Sequence, residues 1–497
     1  MTKRLSPDLA ETELATLRLG DSRLEERART ILRGIARAPA SAVEEQQGGP
    51  AAAKACYRFL EHEEIERADV LAPHIVASVG RAMACRRVLA VQDTTAVSLP
   101  GLVEAEGLGP VTEGEGSRGY LVHTTLLVDG DTHAPLGVAS QILWARSATP
   151  HDRFETAARR RKRPRESQHW IEGQRATARA FGRSLDTETQ QWSPLAPEQP
   201  RIVVVGDRES DIFELIEEVV TLGHGFVLRA VHDRRLTEEE EARAEGVEVK
   251  KGRRKAETSP AEEIPRQYSM SAVAAAPVLG EHIVDVPRKA GQAARRTSLT
   301  VRSRTMDVRP PRSRDRRGQP QTLTCVDVRE EHPPAGVEAV HWCLLTDEPA
   351  STLAECVEVV ETYRARWIIE EFHMALKTGV GVENRQFESL SVHGVFLAFA
   401  TMVAWRLLAL RTEARRPTPR LAQEILTPTQ LLVLRRLVPK LPAVPDARQA
   451  LRAIATLGGF MGRKGDGEPG WRTIWRGFLH VLHAEEGYNL AKMGSGQ

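Results

Sequence analysis

The chain lacks most of the features that would assign it to a large protein class at a glance. Its longest apolar run, Val395 to Trp405 with Thr401 interrupting it, stops at Arg406, well short of the roughly 18 residues a membrane-spanning helix needs. No membrane partner is expected. The opening residues, Met1 to Asp8, hold no apolar stretch ahead of the first acid, so no secretory leader is predicted and the cytoplasm is the expected location. Cysteine is scarce: Cys56, Cys85, Cys325, Cys343 and Cys356 are odd in number, scattered and never spaced as CxxC. That argues against a disulfide framework and a zinc knuckle, and leaves oxygen ligands for any metal. Net charge is nearly absent too, since Lys+Arg 69 against Asp+Glu 67 leaves +2. No internal repeat is visible.

What is present fits a globular protein of about three domains: 497 residues, 41% hydrophobic and 27% charged. The charge is unevenly spread. Val284 to Arg317 carries eleven Lys/Arg and three Asp/Glu, a net of +8, and two further clusters stand at Arg159 to Arg165 (RRRKRPR) and Lys250 to Lys255 (KKGRRK). Any one of them could be a solvated linker, but three in one chain point towards the phosphates of a nucleic acid.

Apolar spacing at Leu24, Ala28, Ile31, Leu32 and Ile35, a break at Gly48-Gly49-Pro50, then Ala52 to Leu60 predict a small N-terminal helical domain. Strands follow at Val88 to Val91, Tyr120 to Val128 and Leu136 to Trp144, which suit a three-stranded meander. Ile202 to Val205 reads as a strand buried on both faces, with a crossover helix over Asp211 to Leu222 and another strand at Phe226 to Val231. The next hundred residues are charged and irregular and look inserted, until strand character returns at Leu323 to Val328 and Val340 to Thr346. Thr352 to Lys377 is the longest uninterrupted helical pattern, and from about Val395 the chain is helical.

Three acids stand out by position. Asp93 is expected to end the strand LAVQD and Asp207 to end IVVVGD, both at C-terminal strand ends, where an open α/β sheet usually holds its active site. Glu370 lies inside the long helix. At about 100° per residue, with Tyr363 at about 0°, Arg366 falls near ~300°, Glu370 near ~340° and Lys377 near ~320°; Glu371 points away near ~80° and His373 sits at the stripe's edge near ~280°. Two aspartates and a glutamate suit hard divalent cations. A pair of such ions about 4 Å apart can drive an in-line phosphoryl displacement.

The spacing Tyr-x2-Arg-x3-Glu-x6-Lys, met by Tyr363, Arg366, Glu370 and Lys377, resembles the signature of the insertion-sequence-four family of bacterial DDE transposases, especially its Tn5-like members. The likeness extends, in order, through RLGDSRLEERA (Arg18 to Ala28), ACYRFL (Ala55 to Leu60), QDTT (Gln92 to Thr95), GDRESDI (Gly206 to Ile212), LLTDEP (Leu344 to Pro349), WIIEEFHMALKTG (Trp367 to Gly379) and ATLGGFMGRKGDG (Ala455 to Gly467). It implies an α/β fold: an RNase H-like, retroviral-integrase-like catalytic core at 86–385 with a β-rich insertion at about 232–340. An N-terminal helical end-binding domain at 1–85 and a C-terminal helical dimerisation region at 386–497 would flank that core. It further implies that Asp93, Asp207 and Glu370 are catalytic and bind Mg²⁺ or Mn²⁺, two ions per site, and that Tyr363, Arg366 and Lys377 contact DNA. Trp342 resembles a tryptophan that stacks on a flipped base, though a strand tryptophan is often core. Arg229 and His373 are the remaining candidate DNA contacts. The expected partners are double-stranded transposon ends and target DNA, bound by a homodimer in the nucleoid, and the expected reaction is nicking, hairpin formation, hairpin opening and strand transfer. A silent end-binding remnant and a plain RNase H-like nuclease are the competing readings.

Overall fold

The computed structural model describes residues 8–102, 104–111, 117–147, 165–186, 188–189, 191–194, 196–244, 266–286, 294–311, 318–463 and 466–494. The cluster Lys250 to Lys255, all but the last residue of Arg159 to Arg165, and 287–293 and 312–317 of the basic stretch lie outside them.

Five helices come first: α1 (Leu9–Glu13), α2 (Ser22–Arg37), α3 (Val43–Gln47), α4 (Pro50–Leu60) and α5 (Arg67–Ala82). Asp21 in the GDSRLEER segment starts α2, its side chain accepting from the Arg23 backbone N–H at 2.8 Å, which satisfies a donor that the first helical turn leaves open. Ala28, Ile31, Leu32 and Ile35 form its buried face.

Strands β1 (Arg87–Ser98), β2 (Gly109–Pro110), β3 (Arg118–Asp129) and β4 (Pro135–Trp144) follow, then helix α6 (Gln168–Ala180), β5 (Arg201–Gly206), α7 (Phe213–Thr221) and β6 (Gly225–Arg229). β1 runs antiparallel to β3 and parallel to β5, β5 runs parallel to β6, and β4 closes the other side of β3. Alternation along the strands sends Leu89, Val91, Val203 and Val205 to one face of the sheet and Val88, Ala90, Ile202 and Val204 to the other. Both faces are covered, so these strands read as continuous apolar runs.

The inserted region is a continuation of this sheet. After the short helices α8 (Glu238–Ala244) and α9 (Ser269–Ala274), strands β7 (Val278–Val286), β8 (Arg295–Val308), β9 (Gln321–Arg329) and β10 (His341–Thr346) pair antiparallel, and β10 docks on β6. β7 and β8 fall where the sequence reads as irregular. Their inward residues Val284, Leu299 and Val301 are buried, but charged residues between them hide the two-residue period. The basic stretch is also less available to a polyanion than its charge implies. Arg295, Arg302, Arg304 and Arg309 are paired with Glu330, Glu331, Glu240 and Glu238.

The long helical pattern is divided into α10 (Leu353–Arg364), a tight turn at Ala365-Arg366, α11 (Trp367–Met374) and a wider π turn over Ala375–Gly379. Gly379 lets that turn lie against the next helix: a Cβ there would sit 3.2 Å from Leu407. The longest helix is instead α12 (Leu390–Arg415). By length and composition α12 could cross a membrane, yet 94% of its most apolar window is buried. It packs on β4, α5 and α2, and Trp405 Nε1 donates to Pro135 O at 3.0 Å. It is the core helix around which both terminal regions assemble. Helices α13 (Pro428–Leu437), α14 (Ala447–Leu457) and α15 (Trp471–Gly494) complete the described chain around a separate apolar cluster.

The N-terminal helices are tied to the sheet by a buried polar contact as well. Glu13 accepts from His74 Nδ1 at 2.6 Å and Arg81 Nη1 at 2.8 Å, and Arg81 lies over the Trp405 ring. Burial opposes ionisation of Glu13, but His74 and Arg81 outweigh it and hold the carboxyl down at about 2.

Candidate active site

The parallel ladder between β1 and β5 ends at Val91↔Val205. Asp93 and Asp207 each stand two residues further on, so both carboxylates leave neighbouring strands on the face that carries Val91 and Val205. Asp93 does not end its strand, contrary to the sequence reading. Thr94 to Val97 are good strand formers and β3 is long enough to pair with them, so β1 continues to Ser98 and Asp93 sits opposite Thr124. Asp207 does leave the sheet: it caps the short turn Arg208–Ser210, with Oδ1 accepting from Glu209 N at 2.9 Å. Gly206 makes that turn possible, because a Cβ there would meet Ser210 at 2.4 Å.

Beneath Asp93 the strand is fixed on its other face by His123, whose Nε2 meets Gln92 Oε1 at 2.9 Å and whose Nδ1 meets Thr94 Oγ1 at 2.9 Å. Burial first, then neighbouring His169, pushes the His123 imidazole down to about 3, so it is neutral there. The residues on either side of Asp93 are thus clamped.

Helix α11 brings Glu370 and His373 to the same place from above. Carboxylate oxygens of Asp93 and Glu370 and a ring nitrogen of His373 lie within 4.8 Å of one another. Asp207 stands outside that tight group but within its field. Burial opposes the charge of Arg366, while Tyr363, Asp93, Asp207 and Glu370 together raise its pKa. Glu209 is raised by burial and then by Asp207 and Asp93. Arg366 Nη1 donates to Glu370 Oε1 at 3.3 Å and is the cation paired directly with this cluster. Glu371 points elsewhere, to Arg411 and Arg415 of α12, both at 3.1 Å.

The other sequence candidates are more dispersed. Tyr363 is buried and packs at a tilt on half-buried Trp342, ring centroids 5.6 Å apart. Because the tight turn and the π turn each depart from 100° per residue, Lys377 does not join Arg366 and Glu370. It pairs with Glu383 at 3.6 Å, and Glu383 accepts from Ser98 N at 3.2 Å. Arg229 lies on the neighbouring β6, donating to His341 O at 3.1 Å. His373 is buried beside Asp93, a position that sequence spacing signals only through its three-residue offset from Glu370. The His123 clamp had no such signal, since its partners come from a different strand.

Asp93, Glu370 and His373 offer donors of the kind a divalent cation takes, within 4.8 Å of one another and with His373 Nε2 buried and unpartnered, while Asp207 stands on the neighbouring strand's end. Residues 6–65 match the family model of a transposase DNA-binding domain, and residues 402–496 match that of the Tn5 transposase dimerisation domain. The chain is therefore a DNA transposase, an enzyme that cuts and transfers DNA strands, and it binds DNA and forms homodimers. The matched segments are similar to the corresponding domains of transposases, the second to that of the Tn5 type, and agree with the resemblance that the motifs carry.

Proposed function

We propose that this transposase works by cut-and-paste, with Asp93, Asp207 and Glu370 as a metal-binding DDE set on an RNase H-like core. The observation that carries the reading is the approach of Asp93 and Glu370 to within 4.8 Å from opposite layers, with Asp207 one strand away. A like-charged group of this kind is costly unless something cationic occupies it. The strand order β4-β3-β1-β5-β6, three antiparallel strands continued by two parallel ones, supports the RNase H-like reading of the core. The domain division at 1–85, 86–385 and 386–497, with the insertion at 232–340, belongs to the same proposal.

Two Mg²⁺ or Mn²⁺ ions, when bound, would polarise the scissile phosphodiester and make the attacking and leaving oxygens easier to ionise. The chain's own residues do the rest. Asp93, whose strand neighbours Gln92 and Thr94 are clamped by His123, and Glu370, carried on α11, would hold the ions from a largely pre-formed position. Arg366, largely buried and already beside Glu370, would hold a nonbridging phosphate oxygen. Lys377, held beside Glu383 away from Arg366 and Glu370, would meet the DNA at a second point, and Tyr363, Trp342 and Arg229 stand towards β6 and β10, where the end of a DNA strand or an unstacked base would be held.

The test is cleavage of oligonucleotides carrying the native element ends, with nick, hairpin and joined product resolved. Asp93→Ala, Asp207→Ala and Glu370→Ala should each lower nicking by about 10³-fold or more, the effect of several kcal/mol of lost charge stabilisation, while end binding persists. Nicking retained by any of the three would exclude it from the set. A nick that never proceeds to joined product in the wild type would favour a plain nuclease.

A further inference from the structure

The acidic site contains one residue that the three-carboxylate reading does not use. His373 follows Glu370 by three residues on α11, so both project from one face of the helix. The ring is 4% exposed. Its Nε2 is buried with no hydrogen-bond partner, and its Nδ1 stands 3.6 Å from Asp93 Oδ2, beyond hydrogen-bonding range. Simple orientation of Asp93 by a hydrogen bond is therefore not what the geometry provides.

The spacing suits coordination better. With bonds of about 2.1 Å, neighbouring ligand atoms around a six-coordinate ion are about 3.0 Å apart and opposite ones about 4.2 Å. The His373–Asp93 separation of 3.6 Å falls between these values, and the 4.8 Å bound on the whole group needs to contract by well under 1 Å at its widest pair. Asp207 belongs to no such group of three ligand residues among the described residues.

Resting on the metal-dependent reading above, we propose that His373 is a direct metal ligand, so that the Asp93–Glu370 position has a nitrogen donor and the Asp207 position does not. The two positions then differ in kind. Imidazole suits first-row transition ions better than Mg²⁺, which prefers oxygen, so the first position takes Mn²⁺ in preference to Mg²⁺. The second, held by oxygen alone, discriminates less.

Pulsed electron spin resonance on the full-length dimer with Mn²⁺ alone reads this without any reaction. The wild type should bind one tighter Mn²⁺ per chain whose echo is modulated by an imidazole ¹⁴N. His373→Gln, which keeps the side chain's bulk and polarity, should lose that modulation and bind Mn²⁺ at least about tenfold more weakly, given that even outer partners of metal ligands are worth that much. Its Mg²⁺ affinity, read by competition, should fall less. Bound Mn²⁺ without ¹⁴N modulation in the wild type, or modulation surviving in His373→Gln, overturns the proposal and leaves the carboxylate site standing. Failure of the wild type to bind Mn²⁺ at all, or unchanged affinity in Asp93→Asn, overturns the metal-dependent reading along with it.

Discussion

The two halves of the large sheet handle charge in opposite ways. In the inserted half, each arginine of β8 that faces an acid is matched to one: Arg295 to Glu330, Arg302 to Glu331, Arg304 to Glu240. In the half built on β1 and β5, Asp93 and Glu370 approach within 4.8 Å of each other, Asp207 and Glu209 add to the same field, and Arg366 pairs with Glu370. Matched pairs belong to architecture, because a partly buried charge without a partner would unfold its surroundings. An unmatched, like-charged group on a rigid sheet is a cost that folding alone would not retain, and it marks the place where an outside cation is expected.

That contrast can be broken at several points. The largest effect is the loss of nicking in the three carboxylate variants, which should come with no loss of thermal stability for Asp93→Asn, since removing one of several like charges relieves repulsion. Glu330→Gln should behave in the reverse sense, keeping cleavage but lowering stability by about 2 kcal/mol in denaturant titrations. Its carboxyl is buried and held down at about 2, chiefly by the hydrogen bond from Arg295, despite the opposing effect of burial, with further bonds from Val340 N and Thr297. A lowered folded-state pKa gives stability that is present above the ordinary value near 4.5 and drains away as pH falls towards about 2. The wild type should therefore lose this contribution in acid, and Glu330→Gln should show a flatter profile over the same window.

Trp342 lies on β10, where the two halves meet. Trp342→Ala should slow hairpin formation roughly tenfold relative to the first nick, the worth of one stacked base. Equal slowing of both steps would return Trp342 to a packing role against Tyr363. The smallest effect is expected at Arg302–Glu331, a pair whose glutamate is 42% exposed. Glu331→Gln should cost less than about 1 kcal/mol, and a larger value would mean that the inserted strands depend on surface pairing more than their buried Val284, Leu299 and Val301 suggest.

Local signals in the sequence were those whose cause is also local. The apolar face of α2, the doubly buried β5 and the end of that strand at Asp207 depend on neighbours within a few residues. The features that went unread depend on distant ones. β1 runs past Asp93 because β3, from Arg118 onward, is there to pair with it. The helix carrying Glu370 tightens at Ala365-Arg366 and widens at Ala375–Gly379 where it meets α12, which detaches Lys377 from the stripe that regular helical geometry would give it. The strands β7 and β8 were masked by arginines whose glutamate partners lie elsewhere in the chain. His373 reaches Asp93 only through the packing of α11 on β1.

Adjacent glutamates on α11 supply the most direct test of the central claim, that the acidic cluster and not acidity of the helix at large cuts DNA. Glu370 faces Asp93, whereas Glu371 is held by Arg411 and Arg415. Metal-dependent nicking of an end-containing oligonucleotide should disappear in Glu370→Ala and persist in Glu371→Ala, whose loss should appear in stability instead. The opposite result, nicking by Glu370→Ala and none by a folded Glu371→Ala, would contradict the account.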